Sequence, residues 1–349
     1  MGIKSQRIHL KSRPQGLPTP DHFELVDITL PDLQVGQVLV RNLWMSVDPY
    51  MRRSMEEEAK DLVPWPIDGP LDGPSVGQVV ESRHPGYLPG DIVEGMCGWQ
   101  QHFISDGTPF VPYLSPASAI AKRTAPGAAP RDYVGILGIA SMTAYAGITC
   151  LSTAQPGDTA VISSGAGTVG SVACQIAKIR GLRVVTSAGS EAKVRWLRDE
   201  IGVDHAFNYR EQPISQALAE ACPRGIDLVL ENASPEHLSA CLPLMNELKQ
   251  VLIAGFVSIY SSGGSIPAFP NFEFVLDRYL TIRAFQFMEC LDRYDQFVAD
   301  MIRWRNEERL VFRENHFKGL DQAPVAFCAL FRGEMSGKIL VEVGKPDPV

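Results

Sequence analysis

The sequence contains no C-x-x-C pair and no H-x-x-x-H, and none of its seven histidines is spaced with a cysteine as metal ligands are. Its seven cysteines, Cys97, Cys150, Cys174, Cys222, Cys241, Cys290 and Cys328, are odd in number and far apart. That pattern excludes a disulfide framework and a structural zinc site, so reduced core thiols and no metal are expected. A positive excess is also lacking: 32 Lys and Arg stand against 40 Asp and Glu, a net charge of −8. Neither nucleic acid nor an anionic membrane surface is therefore expected as a partner. No apolar run of about 18 residues occurs. The stretch from Met1 to Pro20 carries Lys4, Arg7, Lys11 and Arg13 without a leader-like apolar segment, and a soluble, cytoplasmic protein is expected. There is no internal repeat and no low-complexity segment.

What is present is enough chain for two cores: 349 residues, 45% hydrophobic and 21% charged, with 30 glycines and 26 prolines spread along the length. The first third reads as short strands between turns, at residues 37–47, 76–81 and 91–94, and suggests a small barrel. From about Asp132 apolar strands alternate with helical stretches, as in a parallel sheet with crossover helices. Six strands are expected there: Thr159 to Ser163, Arg183 to Ser187, Ala206 to Tyr209, Asp227 to Glu231, Val251 to Gly255 and Thr281 to Phe285. A helix is expected over residues 291–305, and a last strand, Gly337 to Val343, is expected to return to the first domain. The fold class is thus α/β. The domains are read as 1–125 with 310–349, and 126–309.

The motif with chemical meaning is Gly165-Ala166-Gly167-Thr168-Val169-Gly170, a G-x-G-x-x-G between an expected strand and an expected helix. Its first glycine suits a tight turn, its second a close approach of backbone to a pyrophosphate, and its third the packing of helix on strand. The phosphates then meet free N–H groups at the helix N-terminus. An enzyme using NAD places a carboxylate at the tip of the second strand; here the tip is Thr186-Ser187-Ala188-Gly189-Ser190. Lys193, Arg195 and Arg210 follow it, and cations beside an uncharged tip suit the 2′-phosphate of NADPH.

Around this loop, Trp44 to Arg52, Thr143 to Gly147, Gly165 to Lys178, Ala188 to Lys193, Ala206 to Tyr209 and Met335 to Lys338 resemble one branch of the zinc-independent medium-chain dehydrogenases/reductases. It is the branch of prostaglandin reductases, also called leukotriene B4 dehydrogenases, with plant alkenal double-bond reductases and curcumin-reductase-like enzymes. The resemblance covers nearly the whole chain. Its most specific part is Ser46 to Arg52, where zinc-dependent relatives carry a metal-ligand cysteine. It implies a GroES-like β-barrel catalytic domain made from both chain ends, a Rossmann nucleotide domain between them, a cleft where they meet, NADPH as hydride donor, and a homodimer. By motif match it implies that Lys193 and Tyr209 contact the 2′-phosphate, with Ser187 and Gly189 at the same tip. Thr143 and Asn232 would lie along the nicotinamide end, Tyr260 near the nicotinamide ribose and the substrate carbonyl, and Tyr50 in the same cleft. The sequence departs from the branch at Glu231-Asn232-Ala233-Ser234-Pro235, where Asp-Asn-Val-Gly-Gly is usual, at Gly138 to Met142, which lacks a usual proline, and at Met335, where an Asn is common.

The implied chemistry is reduction of a carbon–carbon double bond conjugated to a carbonyl. Hydride at the β-carbon leaves negative charge on the carbonyl oxygen, and without a metal the donor that meets it is a hydroxyl. Tyr260, directly or through the cofactor ribose, is the first candidate and Tyr50 the second; the α-carbon proton comes from tyrosine or water. Trp65, Phe285 and Phe287 are candidate walls for a small hydrophobic enone or enal. The open alternatives are a quinone reductase or a pathway-specific enoyl reductase on the same fold and, from another class, an NADPH-binding protein that has lost catalysis.

Overall fold

A computed structural model describes residues 2–58, 62–260 and 269–346. Its strands, in chain order, are β1 (Ile3–Leu10), β2 (Phe23–Leu30), β3 (Val38–Ser46), β4 (Ser75–Ser82), β5 (Ile92–Gly95), β6 (His102–Ser105), β7 (Ala121–Lys122), β8 (Thr159–Ile162), β9 (Arg183–Ala188), β10 (His205–Asn208), β11 (Ile226–Glu231), β12 (Met245–Ile253), β13 (Thr281–Ala284), β14 (Glu314–Lys318) and β15 (Lys338–Glu342). The chain divides into two compact units, one of Met1–Gly138, Glu314–Met335 and Ile339–Val349, the other of Ile139–Arg313 and Ser336–Lys338. Residues 126–138, assigned above to the second domain, fall in the first unit, and residues 310–313 and 336–338 fall in the second.

The first unit is built on a sheet of order β14-β15-β3-β4-β5-β7, with β6 also paired to β3. Pairing around β3, β4 and β5 is antiparallel throughout, and this is the GroES-like part of the fold. Val38, Val40, Val79, Val93, Phe103 and Ile120 fill one core of it. The hairpin β1-β2, which the sequence reading did not separate, brings Ile8, Leu10 and Phe23 into a second core with Trp65, Trp99 and the helix Ala323–Arg332. Each such side chain contributes roughly 1.5–3 kcal/mol on burial.

The second unit is a six-stranded sheet of order β10-β9-β8-β11-β12-β13, parallel in every pair. Counted from β8 as the first strand, the order is 3-2-1-4-5-6, the doubly wound arrangement of dinucleotide-binding folds. All six expected strands are present, with ends differing by a few residues; β12 begins earlier, at Met245. The helix expected over residues 291–305 is Tyr294–Asn306, preceded by a tighter turn, Phe287–Arg293. In this order the chain reverses direction of winding between β8 and β11. The carboxyl ends of those two strands mark where ligands bind in such sheets.

Candidate functional site

The glycine loop leaves β8 and enters the helix Thr168–Ile179. The tight turn is made by Ser164, which takes a left-handed φ of 52°, and not by a glycine. Gly165 is required for another reason: a Cβ there would stand 2.1 Å from Thr186 Oγ1 on β9. At Gly170 a Cβ would meet the Ser164 carbonyl oxygen at 2.2 Å and Gly165 Cα at 2.8 Å, so the helix seats against its own loop. Gly167 is the least constrained by the protein, with Ser164 at 3.3 Å, a contact a neighbour can relieve. Its lack of a side chain therefore points outward, to a group that approaches the backbone. Gly167 is the N-cap of the helix and no side chain caps it, which leaves the N–H groups of the first turn, at Thr168, Val169 and Gly170, as anion donors. The loop is latched by residues 336–338: Gly337 N donates to Ala166 O at 2.9 Å, and Thr168 Oγ1 to Gly337 O at 3.2 Å.

At the tip of β9, Ser187 O accepts from Gly165 N at 3.0 Å and so fixes the loop to the strand. Gly189 allows Tyr209 to fold over it, the tyrosine hydroxyl lying 2.8 Å from where a Cβ would be. Lys193 sits in the first turn of the helix Glu191–Asp199, whose N-cap is Ser190. Burial, followed by the Arg210 guanidinium, holds the Lys193 pKa below its usual value. Two cations close enough to disfavour each other, beside a tip without a carboxylate, form a place for a dianion.

The end of β11 makes the other side of the switch point. Asn232 N donates to Ser163 Oγ at 2.7 Å, and its side-chain Nδ2 to Ser163 O. The Ala233 carbonyl accepts Ser258 N at 3.0 Å, which anchors the turn Val257–Ile259 just before Tyr260. Tyr260 folds back with its hydroxyl 2.8 Å from a Cβ position on Gly255. Tyr260 and Asn232 are thereby brought into one region. Thr143 is on the helix Ile139–Tyr145, its hydroxyl turned back on Ile139 O at 2.9 Å. A π-helical turn, Ala146–Leu151, follows.

Not every expected pocket residue lines open space. Trp65 is 2% exposed, stacks edge-on to Trp99 with ring centroids 5.3 Å apart and donates Nε1–H to Asp72. Its ring packs in the first unit's core. Phe285 and Phe287 are buried as well; Phe285 Cζ lies 3.0 Å from a Cβ position on Gly147, wedged between that helix and the sheet. Tyr50, in the first unit, meets Tyr113 edge-on at 5.3 Å. Among the described residues its hydroxyl is sealed from solvent and meets no partner in hydrogen-bond geometry, and burial, then the nearby Tyr113, Asp72 and Asp48, with a side-chain contact to the Tyr113 hydroxyl, push its pKa well up. Met335, the departure from the expected Asn, is a half-buried side chain packed on the core of the first unit.

Sequence reasoning missed three groups. In the sequence Ser163 and Glu231 read as strand ends, and His237 lacks the spacing of a metal ligand. The string Gly73-Pro74-Ser75-Val76-Gly77 fits G-x-S-x-G. Ser75 is 1% exposed and opens β4, paired on both sides, so it is no strand-to-helix nucleophile elbow. The cysteines are all free, and burial raises their pKa values, to about 12 at Cys97, Cys174 and Cys290. Among the described residues no three His, Cys, Asp or Glu side chains are grouped as a metal site needs.

Comparison with known proteins agrees with this geometry. Residues 6–112 match the family described as the N-terminal domain of oxidoreductase, and residues 168–304 the one described as zinc-binding dehydrogenase. The chain is 33% identical to the NADPH-dependent curcumin reductase of Escherichia coli K12, over 99% of this chain and 100% of that one. The chain belongs to the medium-chain dehydrogenase/reductase family. It is also 34% identical to prostaglandin reductase 1 of Oryctolagus cuniculus, over 96% of this chain and 93% of that one. The crystal structure of CurA in complex with NADPH from Vibrio vulnificus superposes with a TM-score of 0.89 at 31% identity, covering 98% of this chain and 100% of that one. These likenesses place the chain in the zinc-independent branch of the medium-chain family.

Proposed function

We propose that this oxidoreductase reduces the carbon–carbon double bond of α,β-unsaturated ketones and aldehydes with NADPH. The observation that carries the cofactor side is the cradle at the switch point, where the crowding at Gly165 and Gly170 builds an uncapped helix N-terminus and Gly167 leaves it open. NADPH fits the residues present: Gly167, Thr168, Val169 and Gly170 would hold the pyrophosphate. Lys193 and Tyr209, with Ser187 and Gly189 shaping the tip, would hold the 2′-phosphate, and Thr143 and Asn232 the nicotinamide end. When bound, NADPH supplies the hydride. Tyr260 is assigned the hydrogen bond to the carbonyl oxygen as charge develops on it, with Tyr50 as a second donor. Tyr50 suits a donor because its raised pKa keeps the proton on oxygen. The relatives named for curcumin and prostaglandin reduction support an enone as the acceptor class.

We assign the enzyme to the cytoplasm, as its free thiols suit a reducing compartment, and to a homodimer. The second unit ends on the edge strand β13, and Leu276 and Tyr279 nearby are 76% and 69% exposed. Such an edge suits pairing with a second copy. The test of function is NADPH oxidation with a panel of enones, enals and quinones, run beside NADH and beside Tyr260→Phe, with products identified by mass. Saturated carbonyl products, NADPH preference and a large loss in the variant are expected. NADPH binding without turnover on any acceptor would overturn the reductase reading, and reduction of quinones alone would replace its substrate class.

A further inference from the structure

Behind Asn232 lies a buried network that the function above does not use. Glu231, the last residue of β11, is 0% exposed. Its Oε1 accepts three hydrogen bonds, from Ser163 Oγ at 2.8 Å, Ala233 N at 2.7 Å and Ser234 N at 2.9 Å. Its Oε2 faces His237 Nδ1 at 3.0 Å. His237 is 2% exposed, in the first turn of the helix Pro235–Cys241, where Ser234 Oγ caps its backbone N–H at 3.1 Å. Among the described residues its other ring nitrogen, Nε2, is buried and meets no acceptor. A buried N–H without a partner is costly, so the tautomer with its proton on Nδ1, donating to Glu231, is the one this site favours.

The consequences run toward the ligand end of the sheet. Ser163 Oγ donates to Glu231 and at the same atom accepts Asn232 N, so the carboxylate orients the hydroxyl that holds Asn232. Glu231 O accepts Ala254 N at 2.9 Å and Ala233 O accepts Ser258 N at 3.0 Å, so the same residues set the segment leading to Tyr260. Without His237, one carboxylate oxygen would be left buried and unpaired, and the turn that carries Asn232 would have to move to hydrate it.

We propose that Glu231 and His237 are a positioning pair for the nicotinamide end of the cofactor site: His237 fixes the carboxylate, and the carboxylate fixes Ser163, Asn232 and the approach to Tyr260. The proposal rests on the reading of Asn232 and Tyr260 given above. It is tested on the full-length protein by titrating NADPH and following the emission of the bound nicotinamide, alongside steady-state kinetics, for His237→Leu, His237→Gln, Glu231→Gln and Ser163→Ala. The expected result for His237→Leu is altered bound-nicotinamide emission and a kcat lower by about tenfold or more, while the Kd for NADPH stays within about threefold because the glycine loop and Lys193 are untouched. His237→Gln, which can still donate to Glu231, should recover most of both signals. Unchanged emission and kcat in both His237→Leu and Glu231→Gln would overturn the proposal. So would a loss of folded protein in which kcat per bound NADPH stays that of the parent, since that is what a purely structural pair would give. If His237→Leu does not fold, Ser163→Ala and His237→Gln decide by the same two readouts. The emission readout needs no turnover, so a parent enzyme inactive on every enone would overturn the substrate reading while leaving the positioning pair testable.

Discussion

In the second unit the phosphate cradle is made by main chain, whereas in the first the side chains proposed for the site are drawn into an aromatic core. Gly165, Gly167 and Gly170 differ in what they exclude, and each exclusion follows from strand, turn and helix meeting at fixed spacing. Tyr50 and Trp65 sit among Trp99, Phe327 and Met51, where an aromatic ring fills space equally well whether or not it also touches a ligand. Backbone-borne function leaves a spacing in the sequence; side-chain-borne function in a packed cluster leaves only a letter.

The contrast can be broken first at the loop. Gly170→Val would drive a side chain into the Ser164 carbonyl, 2.2 Å from the Cβ position, with an expected destabilisation of about 3 kcal/mol or more and no measurable NADPH binding. Gly167→Ala should keep the fold within about 1 kcal/mol yet weaken NADPH about tenfold, because there the methyl group meets the ligand's side and not the protein's. Thermal unfolding and NADPH titration check both; equal effects at the two positions would show that the loop is one packing unit with no face for phosphate. In the other unit, Trp65→Ala is expected to cost about 3–5 kcal/mol while leaving the KM of the folded enzyme for an enone unchanged. A raised KM with little loss of stability would return Trp65 to the pocket.

The 2′-phosphate tip is the next test in size. Lys193→Ala should raise the KM for NADPH by about ten- to a hundredfold, or about 1.4–2.7 kcal/mol, and leave that for NADH alone. Because burial and Arg210 lower the Lys193 pKa, its charge is lost at a lower pH than that of a free lysine. NADPH preference should accordingly fall as pH rises through that range, and should not do so in Lys193→Ala. Kinetics with both cofactors across alkaline pH would show it; parallel NADPH and NADH profiles would remove Lys193 from the site.

The parallel sheet, its six strands and the glycine loop were legible because apolar strands, a glycine motif and a helical period occur together in 126–309. The hairpin β1-β2 was not, since Ile3–Leu10 mixes buried and half-buried residues without clean alternation. The Glu231–His237 pair was hidden for a different reason. Its six-residue separation has meaning only once β11 ends and the helix Pro235–Cys241 turns back over it, and Ser163 joins it from 68 residues away. The left-handed turn falls on Ser164, while Gly165 is required by the close approach of Thr186.

The smallest expected effect on stability is also the one that separates the two tyrosines. Among the described residues the buried Tyr50 Oη meets no partner in good hydrogen-bond geometry, with Tyr113 alone beside it as a weak one, and a poorly paired buried hydroxyl contributes a desolvation cost to the folded state. Tyr50→Phe removes it and leaves the ring's edge contact with Tyr113 in place, so stability should hold or rise by up to about 1 kcal/mol. If the hydroxyl is there to meet a substrate oxygen, kcat falls in the same variant, though by less than in Tyr260→Phe. The raised pKa of Tyr50 adds a second signature: with the proton retained, no alkaline loss of activity should trace to this residue below about pH 10. A variant less stable by more than about 1 kcal/mol would mean the hydroxyl is bonded within the protein. A more stable variant of undiminished kcat would mean that Tyr50 only packs, and would leave Tyr260 as the donor.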